Sequence, residues 1–193
     1  FEMLHEPLIE AIAKTKKPVI ISTGTANLKE IYQSYQLTKK YKIKDVTFLY
    51  CVSNYPSKSS DFNLNNIQIL KKKLNCRIGF SDHSLGSKVA MLAVAKGAEI
   101  VEKHICLSND NKSLDSEFSL KGKTQISQFV KDLRETSGMI SKNIFFRSKN
   151  EKNNIRFRRS IFCVEEIQKG ERFNKDNIKI IRPGYGISPI YYK

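Results

Sequence analysis

Two of the three histidines in the chain directly follow apolar segments whose composition is typical of β-strands. His83 comes after the segment 77–81, and His104 comes after the segment 98–103. Because neighbouring parallel strands end at the same edge of a sheet or barrel, both imidazoles are expected at one rim. Neutral imidazole nitrogens bind ions such as Mn²⁺, Zn²⁺ and Fe²⁺. The pair is therefore either a divalent metal site or two rim histidines held by ordinary hydrogen bonds.

Hydroxyl and carboxyl groups accompany the histidines at the predicted strand ends. Ser22, Ser53, Ser81 and Ser84 are short donors of the kind that hold phosphate or carboxylate oxygens together with backbone N–H groups. The same side chains also serve turns and helix caps. Asp115, in the loop after the fourth predicted strand, either binds sugar hydroxyls or starts a turn.

Three charged residues, Asp82, Glu102 and Lys103, flank the two histidines. Since side chains alternate along a strand, we expect them to point away from the histidines. Asp82 either orients His83 or caps the following helix. The chain has no phosphate-binding loop, dinucleotide fingerprint, zinc-protease motif or nucleophile elbow, so its chemistry depends on the strand-end constellation.

Alternation of apolar and amphipathic segments predicts the elements that position these groups. Strands are predicted over 18–24, 46–51, 77–81 and 98–103, and helices over 8–16, 27–41, 63–74, 87–96 and 123–141. Near-continuous apolar strands separated by helices favour an α/β fold with a parallel sheet. Polar groups at every strand end favour a (β/α)₈ barrel over a doubly wound sheet, although four strands make half a barrel.

Beyond residue 141 the pattern changes. Residues 142–156 are polar, lack an apolar period and are interpreted as a linker. Residues 157–193 form a small β-rich unit, with a strand over 158–164 and a glycine-containing turn at 182–186.

Composition excludes several classes of protein. An apolar fraction of 40% excludes a disordered chain, and no apolar run is long enough for a membrane span. The first six residues include two acids and no basic region, so we do not expect them to be a signal peptide. The net charge of +15 suits nucleic acid, an anionic surface or anionic substrates, but the basic tail lacks the aromatic interleaving of RNA-binding sheets. Four dispersed cysteines without metal-like spacing are expected to be reduced, mostly buried thiols of a cytoplasmic protein.

The strand-end motifs resemble the sialic acid synthase family. They are PVIISTG at 18–24, SNYP at 53–56, GFSDHSLG at 79–86, GA at 97–98 and VEKH at 101–104. In the tail the resemblance continues through RS at 159–160, IQKGE at 167–171 and RPGYGISP at 182–189. It implies the C-terminal half of a (β/α)₈ TIM barrel over 1–141, and the start of an antifreeze-like (SAF) domain over 157–193.

The resemblance also implies an activity. Enzymes of this family condense phosphoenolpyruvate with an N-acetylated sugar aldehyde to give a nine-carbon ulosonic acid and phosphate. Because Ser113-Leu114 stands where sialic and legionaminic acid synthases carry Gly-Pro, the segment around Asp115 is more similar to the pseudaminic acid synthase branch. Its substrate would be a 2,4-diacetamido-trideoxy hexose. Sialic or legionaminic acid synthesis is the alternative, and a non-catalytic basic binding module or a sugar-binding remnant is a second one.

The resemblance assigns roles to individual residues. His83 and His104 would hold the divalent metal, expected to be Mn²⁺, with Mg²⁺ or Co²⁺ as alternatives. Glu2 would join them as a catalytic residue. Substrate-binding positions would be Ser22, Ser53, Asn54, Tyr55, Ser81, Asp115 and Arg182. Arg182 would reach the sugar in a partner subunit's barrel within a domain-swapped homodimer.

The chain opens on Phe1 and contains four predicted barrel strands, so we expect it to be part of a longer protein. The family's first barrel strands contribute further glutamate, lysine and threonine side chains to the active site. The chain as given is therefore expected to be inactive alone.

Overall fold

The computed structural model describes residues 1–107, 112–140 and 145–192. The chain divides into two compact units, Phe1–Ile140 and Ser141–Lys193. Within the described ranges, no helix is long and apolar enough to cross a membrane.

The first unit is built on a parallel sheet in the order β1-β2-β3-β4. Its strands are β1 (Val19–Ser22), β2 (Val46–Cys51), β3 (Arg77–Asp82) and β4 (Val101–Lys103). Each strand pairs with the next one along the chain, as expected for strands joined by helical crossovers. The strands lie within the predicted apolar segments or one residue beyond them, and β4 is shorter than predicted.

Helices precede and follow the strands in the predicted alternation. They are α1 (Glu6–Lys14), α2 (Leu28–Lys40), α3 (Asn65–Lys73), α4 (Lys88–Ala95) and α5 (Gly122–Met139). At the start of α2, Asn27 accepts a hydrogen bond from the backbone N–H of Glu30, whose side chain accepts one from the Asn27 N–H. This capping box satisfies two backbone donors that the first helical turn leaves unpaired.

Alternation along the strands separates the face that packs against the helices from a second face, here named the polar face, whose strand-end residues include hydroxyl groups. Phe48 and Phe80 are fully buried and pack in one cluster with Ile67 and Leu70 of α3. Because consecutive strand residues point to opposite faces, Ser81 lies on the other face of β3, away from that core. The sheet thus buries one side against helices and presents hydroxyl groups on the other.

The chain after β4 forms a parallel pair that the sequence pattern does not predict. Strand β5 (Ile105–Cys106) pairs with β6 (Leu120–Lys121), and the N–H of Leu120 donates to the carbonyl of His104. This pairing returns the loop that contains Asp115 to the edge where His104 lies.

The second unit contains an antiparallel pair, β7 (Ser160–Cys163) and β8 (Ile178–Ile181). The segment 142–156, expected to be a linker, carries the short helix α6 (Lys149–Asn153). This helix begins with a reciprocal capping box between Ser148 and Glu151. A polar segment without an apolar period can therefore still be helical.

All four cysteines are free thiols, as predicted, but the expectation that most are buried is wrong. Cys51 is buried, Cys76 and Cys106 are partly exposed, and Cys163 is exposed. Burial raises the pKa of the Cys76 thiol.

Candidate active site

The structure brings His83 and His104 together at the C-terminal ends of β3 and β4. Their ring centroids are 5.4 Å apart, and the two rings are inclined by 62°. The register of the sheet explains this proximity, because Ser81 pairs with Glu102 and Asp82 with Lys103. The histidines thus follow directly on paired positions of neighbouring strands.

Two aromatic side chains line the histidine pair. The ring of Tyr55 lies 4.2 Å from His83 and 6.2 Å from His104, measured between ring centroids. Phe118 lies 4.9 Å from His104 and 5.6 Å from Tyr55. These rings limit the imidazoles to a narrow range of orientations.

The hydrogen bonds of His83 define which ring nitrogen can bind a ligand. Nδ1 lies 2.9 Å from the carbonyl oxygen of Val52, which only accepts, so Nδ1 carries the proton. Nε2 lies 3.5 Å from the Ser81 hydroxyl, but that hydroxyl donates its single proton to Glu102 Oε1 at 2.7 Å. The Nε2 lone pair of this buried imidazole is therefore left for a ligand.

A carboxylate lies beside His104. Its Nδ1 lies 3.3 Å from Oδ2 of Asp115. A carboxylate or carbonyl partner on one ring nitrogen is the usual arrangement around metal-binding histidines, because it fixes the tautomer and aims the other nitrogen at the metal. His104 and Asp115 also line an open cleft of about 500 Å³, which is within the usual size of small-molecule sites.

These residues fit a divalent metal with open coordination positions. An oxygen atom lies near each Nδ1, and among the residues that the structure describes no donor occupies Nε2 of His83. Among the described residues, no group of three or more histidine, cysteine, aspartate or glutamate side chains could hold a metal. Two protein ligands leave positions for water and substrate oxygens, as catalytic metal sites require.

Sequence reasoning placed Glu102 on the wrong side of the sheet. Its carboxylate accepts the Ser81 hydroxyl and therefore lies on the face that carries the histidines. The signal was available, because Glu102 and His104 are two residues apart and strand alternation puts such residues on one face. Lys103 does point away, as expected.

Asp82 neither contacts an imidazole nor caps α4. Its Oδ1 accepts hydrogen bonds from the N–H and hydroxyl of Ser84, and its Oδ2 pairs with the ammonium of Lys103. The N-cap position of α4 belongs to Ser87. Asp82 thus connects Ser84, which follows β3, with Lys103 at the end of β4, on the face of the sheet opposite the histidines.

The other predicted substrate-binding residues are placed less uniformly. Ser22 and Ser53 lie near the ends of β1 and β2 and are partly exposed. Asn54 turns its amide toward Oδ2 of Asp61, at 3.2 Å. Backbone and side-chain hydrogen bonds from Lys58 and Asn54 lower the pKa of Asp61.

The remaining two predicted residues are Glu2, in the first unit, and Arg182, in the second. The Glu2 carboxylate, near the start of the first unit, is largely exposed. Arg182 belongs to the second unit, where its Nε donates to the carbonyl of Phe157 at 2.8 Å.

Comparison with known proteins identifies the family. Residues 1–145 match the family described as the NeuB family. The chain belongs to the NeuB family. The chain is also similar to a solved sialic acid synthetase from Leptospira borgpetersenii, with 34% identity and a TM-score of 0.72. These two findings confirm the resemblance predicted from the sequence. That likeness covers 81% of this chain and 54% of the solved one.

Relatives within the family include named synthases. Pseudaminic acid synthases from Campylobacter jejuni and Helicobacter pylori are each 37% identical to the whole chain, which covers 56% and 57% of their lengths. The N,N'-diacetyllegionaminic acid synthase of C. jejuni is 33% identical over the whole chain and 58% of its own length. The chain therefore spans a little more than half the length of these relatives.

The solved structures also identify the architecture of the first unit. A putative spore coat polysaccharide biosynthesis protein E from Chromobacterium violaceum matches the whole chain and 58% of its own, with 27% identity and a TM-score of 0.76. Together with the Leptospira structure, this likeness identifies the curled parallel sheet as half of an α/β barrel.

Proposed function

We propose that the chain carries the metal-binding half of the active site of a synthase that condenses phosphoenolpyruvate with an N-acetylated hexose. The observation that supports this most directly is the histidine pair at the strand ends. Each Nδ1 has an oxygen partner, and no third protein ligand is described beside them. The products are a nine-carbon ulosonic acid and phosphate.

In the proposed reaction, His83 and His104 hold a divalent metal, and Mn²⁺ is our first candidate. When bound, the metal acts as a Lewis acid that polarises the aldehyde carbonyl of the sugar. Asp115 holds the Nδ1 side of His104 and fixes the direction of its free nitrogen. Tyr55 packs against the His83 ring and excludes water from that side.

Hydroxyl groups on the polar face of the sheet would bind phosphoenolpyruvate. Ser22 offers a short donor for phosphate or carboxylate oxygens. The Ser81 hydroxyl, which donates to Glu102 in this structure, would turn to such an oxygen when the substrate binds. Ser53 and Asn54 lie on the neighbouring rim. The C3 carbon of phosphoenolpyruvate forms a bond to the aldehyde carbon, water adds at C2, and phosphate leaves with cleavage of its C–O bond. Glu2 is retained as the proposed acid–base residue.

Two observations favour a 2,4-diacetamido-trideoxy hexose, the pseudaminic acid precursor, as the sugar. Identity to the pseudaminic acid synthases is 37%, compared with 33% for the legionaminic acid synthase of C. jejuni. In addition, Ser113-Leu114 replaces the Gly-Pro expected before Asp115 in the other branches. The chain's 33% identity to the C. jejuni enzyme keeps legionaminic acid synthesis as the second candidate.

We further propose that the second unit is the start of an antifreeze-like (SAF) domain over 157–193, joined to the half-barrel by residues 142–156. Beside its antiparallel pair β7–β8, Ile161 of β7 also forms an antiparallel bridge with Ile187, in the segment after β8. The Nε of Arg182 is held by Phe157, which leaves the outer guanidinium nitrogens for a sugar or carboxylate. In a domain-swapped homodimer this arginine would serve the partner's barrel. We retain a cytoplasmic location as part of the proposal.

The substrate proposal is tested with the full-length protein in a phosphate-release assay. Reactions contain phosphoenolpyruvate, Mn²⁺ and one of three sugars: the pseudaminic precursor, the legionaminic precursor or N-acetylmannosamine. The proposal expects the highest kcat/KM with the first sugar. A preference for either of the others would replace it with the corresponding branch, and no phosphate release with any sugar would refute the synthase function.

A further inference from the structure

A buried ion pair lies directly behind the two histidines. The ammonium of Lys103 is 2.9 Å from Oδ2 of Asp82, and the two side chains are 4% and 0% exposed. Removing two charges from water is costly, so a buried pair persists only when its remaining hydrogen-bonding capacity is also satisfied. None of the chemistry proposed above uses either residue.

The hydrogen bonds of this pair converge on the residues around His83. Oδ1 of Asp82 accepts from the N–H of Ser84 at 2.9 Å and from its hydroxyl at 2.7 Å. The ammonium of Lys103 donates to the carbonyl of Ser84 and lies 5.9 Å from the centroid of the Phe129 ring. Asp82 and Ser84 are the residues immediately before and after His83.

This arrangement links the backbones that carry both imidazoles. Asp82 and Ser84 bind one another and thereby fix the peptide groups on either side of His83. Lys103 directly precedes His104 and is the register partner of Asp82 across β3 and β4. The Asp82–Lys103 ion pair therefore connects the ends of β3 and β4, directly before the histidines that project from the opposite face.

An apolar pair would fill the same space at a lower desolvation cost. The neighbouring cluster is apolar and consists of Ala90, Leu120 and Phe129. Apolar contacts, however, do not fix direction, whereas an ammonium with two oxygen acceptors does. Buried ion pairs often add specificity of arrangement rather than stability.

We propose that Asp82 and Lys103 are positioning residues that set the separation and orientation of the two histidines for metal binding. This inference rests on the proposed metal-binding role of His83 and His104. According to this inference, the buried pair holds His83 and His104 in the geometry that metal binding requires before the metal binds.

The test is the double variant Asp82→Asn, Lys103→Met in the full-length protein. Asparagine keeps an acceptor for Ser84, methionine keeps the length of the lysine stem beside Phe129, and no charge is left buried. We expect Mn²⁺ affinity, measured by equilibrium dialysis, to fall about tenfold, the lower end of the range for partners that orient metal ligands. The visible spectrum of bound Co²⁺ should also change, whereas saturating Mn²⁺ should restore most of kcat.

A second variant tests the same idea with a smaller perturbation. Ser84→Ala removes one hydrogen bond to Asp82 and leaves the ion pair in place. Because a single such bond contributes about 1 kcal/mol, the Mn²⁺ dissociation constant should rise by roughly two- to tenfold. If the double variant does not fold, Ser84→Ala provides the test in its place.

The matched control is an ion pair on the outer surface. Lys71 and Glu99 are 2.8 Å apart, and their side chains are 38% and 45% exposed. The double variant Lys71→Met, Glu99→Gln should bind Mn²⁺ with wild-type affinity and give the wild-type Co²⁺ spectrum.

Two results would overturn the proposal. One is wild-type Mn²⁺ affinity and an unchanged Co²⁺ spectrum in both Asp82→Asn, Lys103→Met and Ser84→Ala. The other is a wild-type protein that binds no metal through its histidines. A wild type that binds Mn²⁺ but makes no ulosonic acid would refute the synthase function alone, because the positioning effect is measured by metal binding.

Discussion

Gly79, in the middle of β3, lies where a single added methyl group would separate the two strands that carry the histidines. A Cβ at this position would lie 2.4 Å from Cδ2 of Leu49 and 2.5 Å from the carbonyl oxygen of Ile100. Ordinary contact begins at 3.4 Å, so the backbone contact is 0.9 Å too close. The leucine methyl can rotate away, but the backbone oxygen cannot.

The energetic cost of Gly79→Ala has two parts. Overpacking a filled interior costs about 1–3 kcal/mol. Moving the Ile100 oxygen also breaks its hydrogen bond from the Phe80 N–H, now 2.8 Å long, and leaving buried groups unpaired costs about 1–3 kcal/mol. The expected loss of about 2–6 kcal/mol is a large part of a typical unfolding free energy of 5–15 kcal/mol.

Urea unfolding followed by circular dichroism measures this loss, and another glycine provides the control. Gly138, near the end of α5, has open space around its Cβ position. Gly138→Ala should leave stability unchanged or raise it by up to about 1 kcal/mol, because alanine favours the helix. The reasoning is refuted if Gly79→Ala stays within about 0.5 kcal/mol of the wild type, the ordinary range of surface substitutions.

Three further predictions follow from the contacts around the site. Ser81→Ala in the full-length protein should raise KM for phosphoenolpyruvate by about tenfold in steady-state kinetics, because it removes the hydroxyl proposed to donate to a charged oxygen of this substrate; an unchanged KM would exclude Ser81 from the binding site. NMR titration should give Asp61 a pKa below the ordinary aspartate value of about 3.9, so its stabilising contribution is present above that pH and is lost as the pH falls through the lowered pKa. Asn54→Ala should raise that pKa, and no change would contradict the assigned cause. Burial should make Cys76 react with iodoacetamide more slowly than the exposed Cys163, and mass spectrometry showing equal labelling would contradict it.

Strand-end chemistry was predictable from the sequence because it depends on local pattern. Apolar segments of four to six residues identify β2 and β3, and parallel pairing then places His83 and His104 at one edge. The cap at Asn27 was equally visible, since a capping box depends on residues three positions apart.

Other features depend on contacts between distant residues and were missed for that reason. Strands β5 and β6 have two residues each and exist only through their mutual pairing, so neither has a periodicity of its own. The burial of Asp82 and Lys103 could likewise not be predicted from the sequence. Charged residues are normally exposed, and these two are buried because they pair with each other.

Local signals were also overlooked in favour of composition. The short helix α6 within 142–156 was missed because the segment is polar, although Ser148 and Glu151 have capping-box spacing. The assignment of this segment as a linker stays a prediction. The exposure of Cys163 contradicts a rule that treats free cysteine as a buried apolar residue.

The most direct test of the central claim uses the full-length protein and measures Mn²⁺-dependent phosphate release from phosphoenolpyruvate and the pseudaminic precursor. The variants are His83→Ala and His104→Ala, with His5→Ala as the control. His5 lies before α1 and makes no side-chain cap, so its removal should not affect the site. Since a catalytic metal contributes several kcal/mol, the first two variants should lose about 10²–10³-fold in kcat/KM together with bound Mn²⁺. Wild-type turnover and metal content in His83→Ala would contradict the claim that this histidine pair holds the catalytic metal.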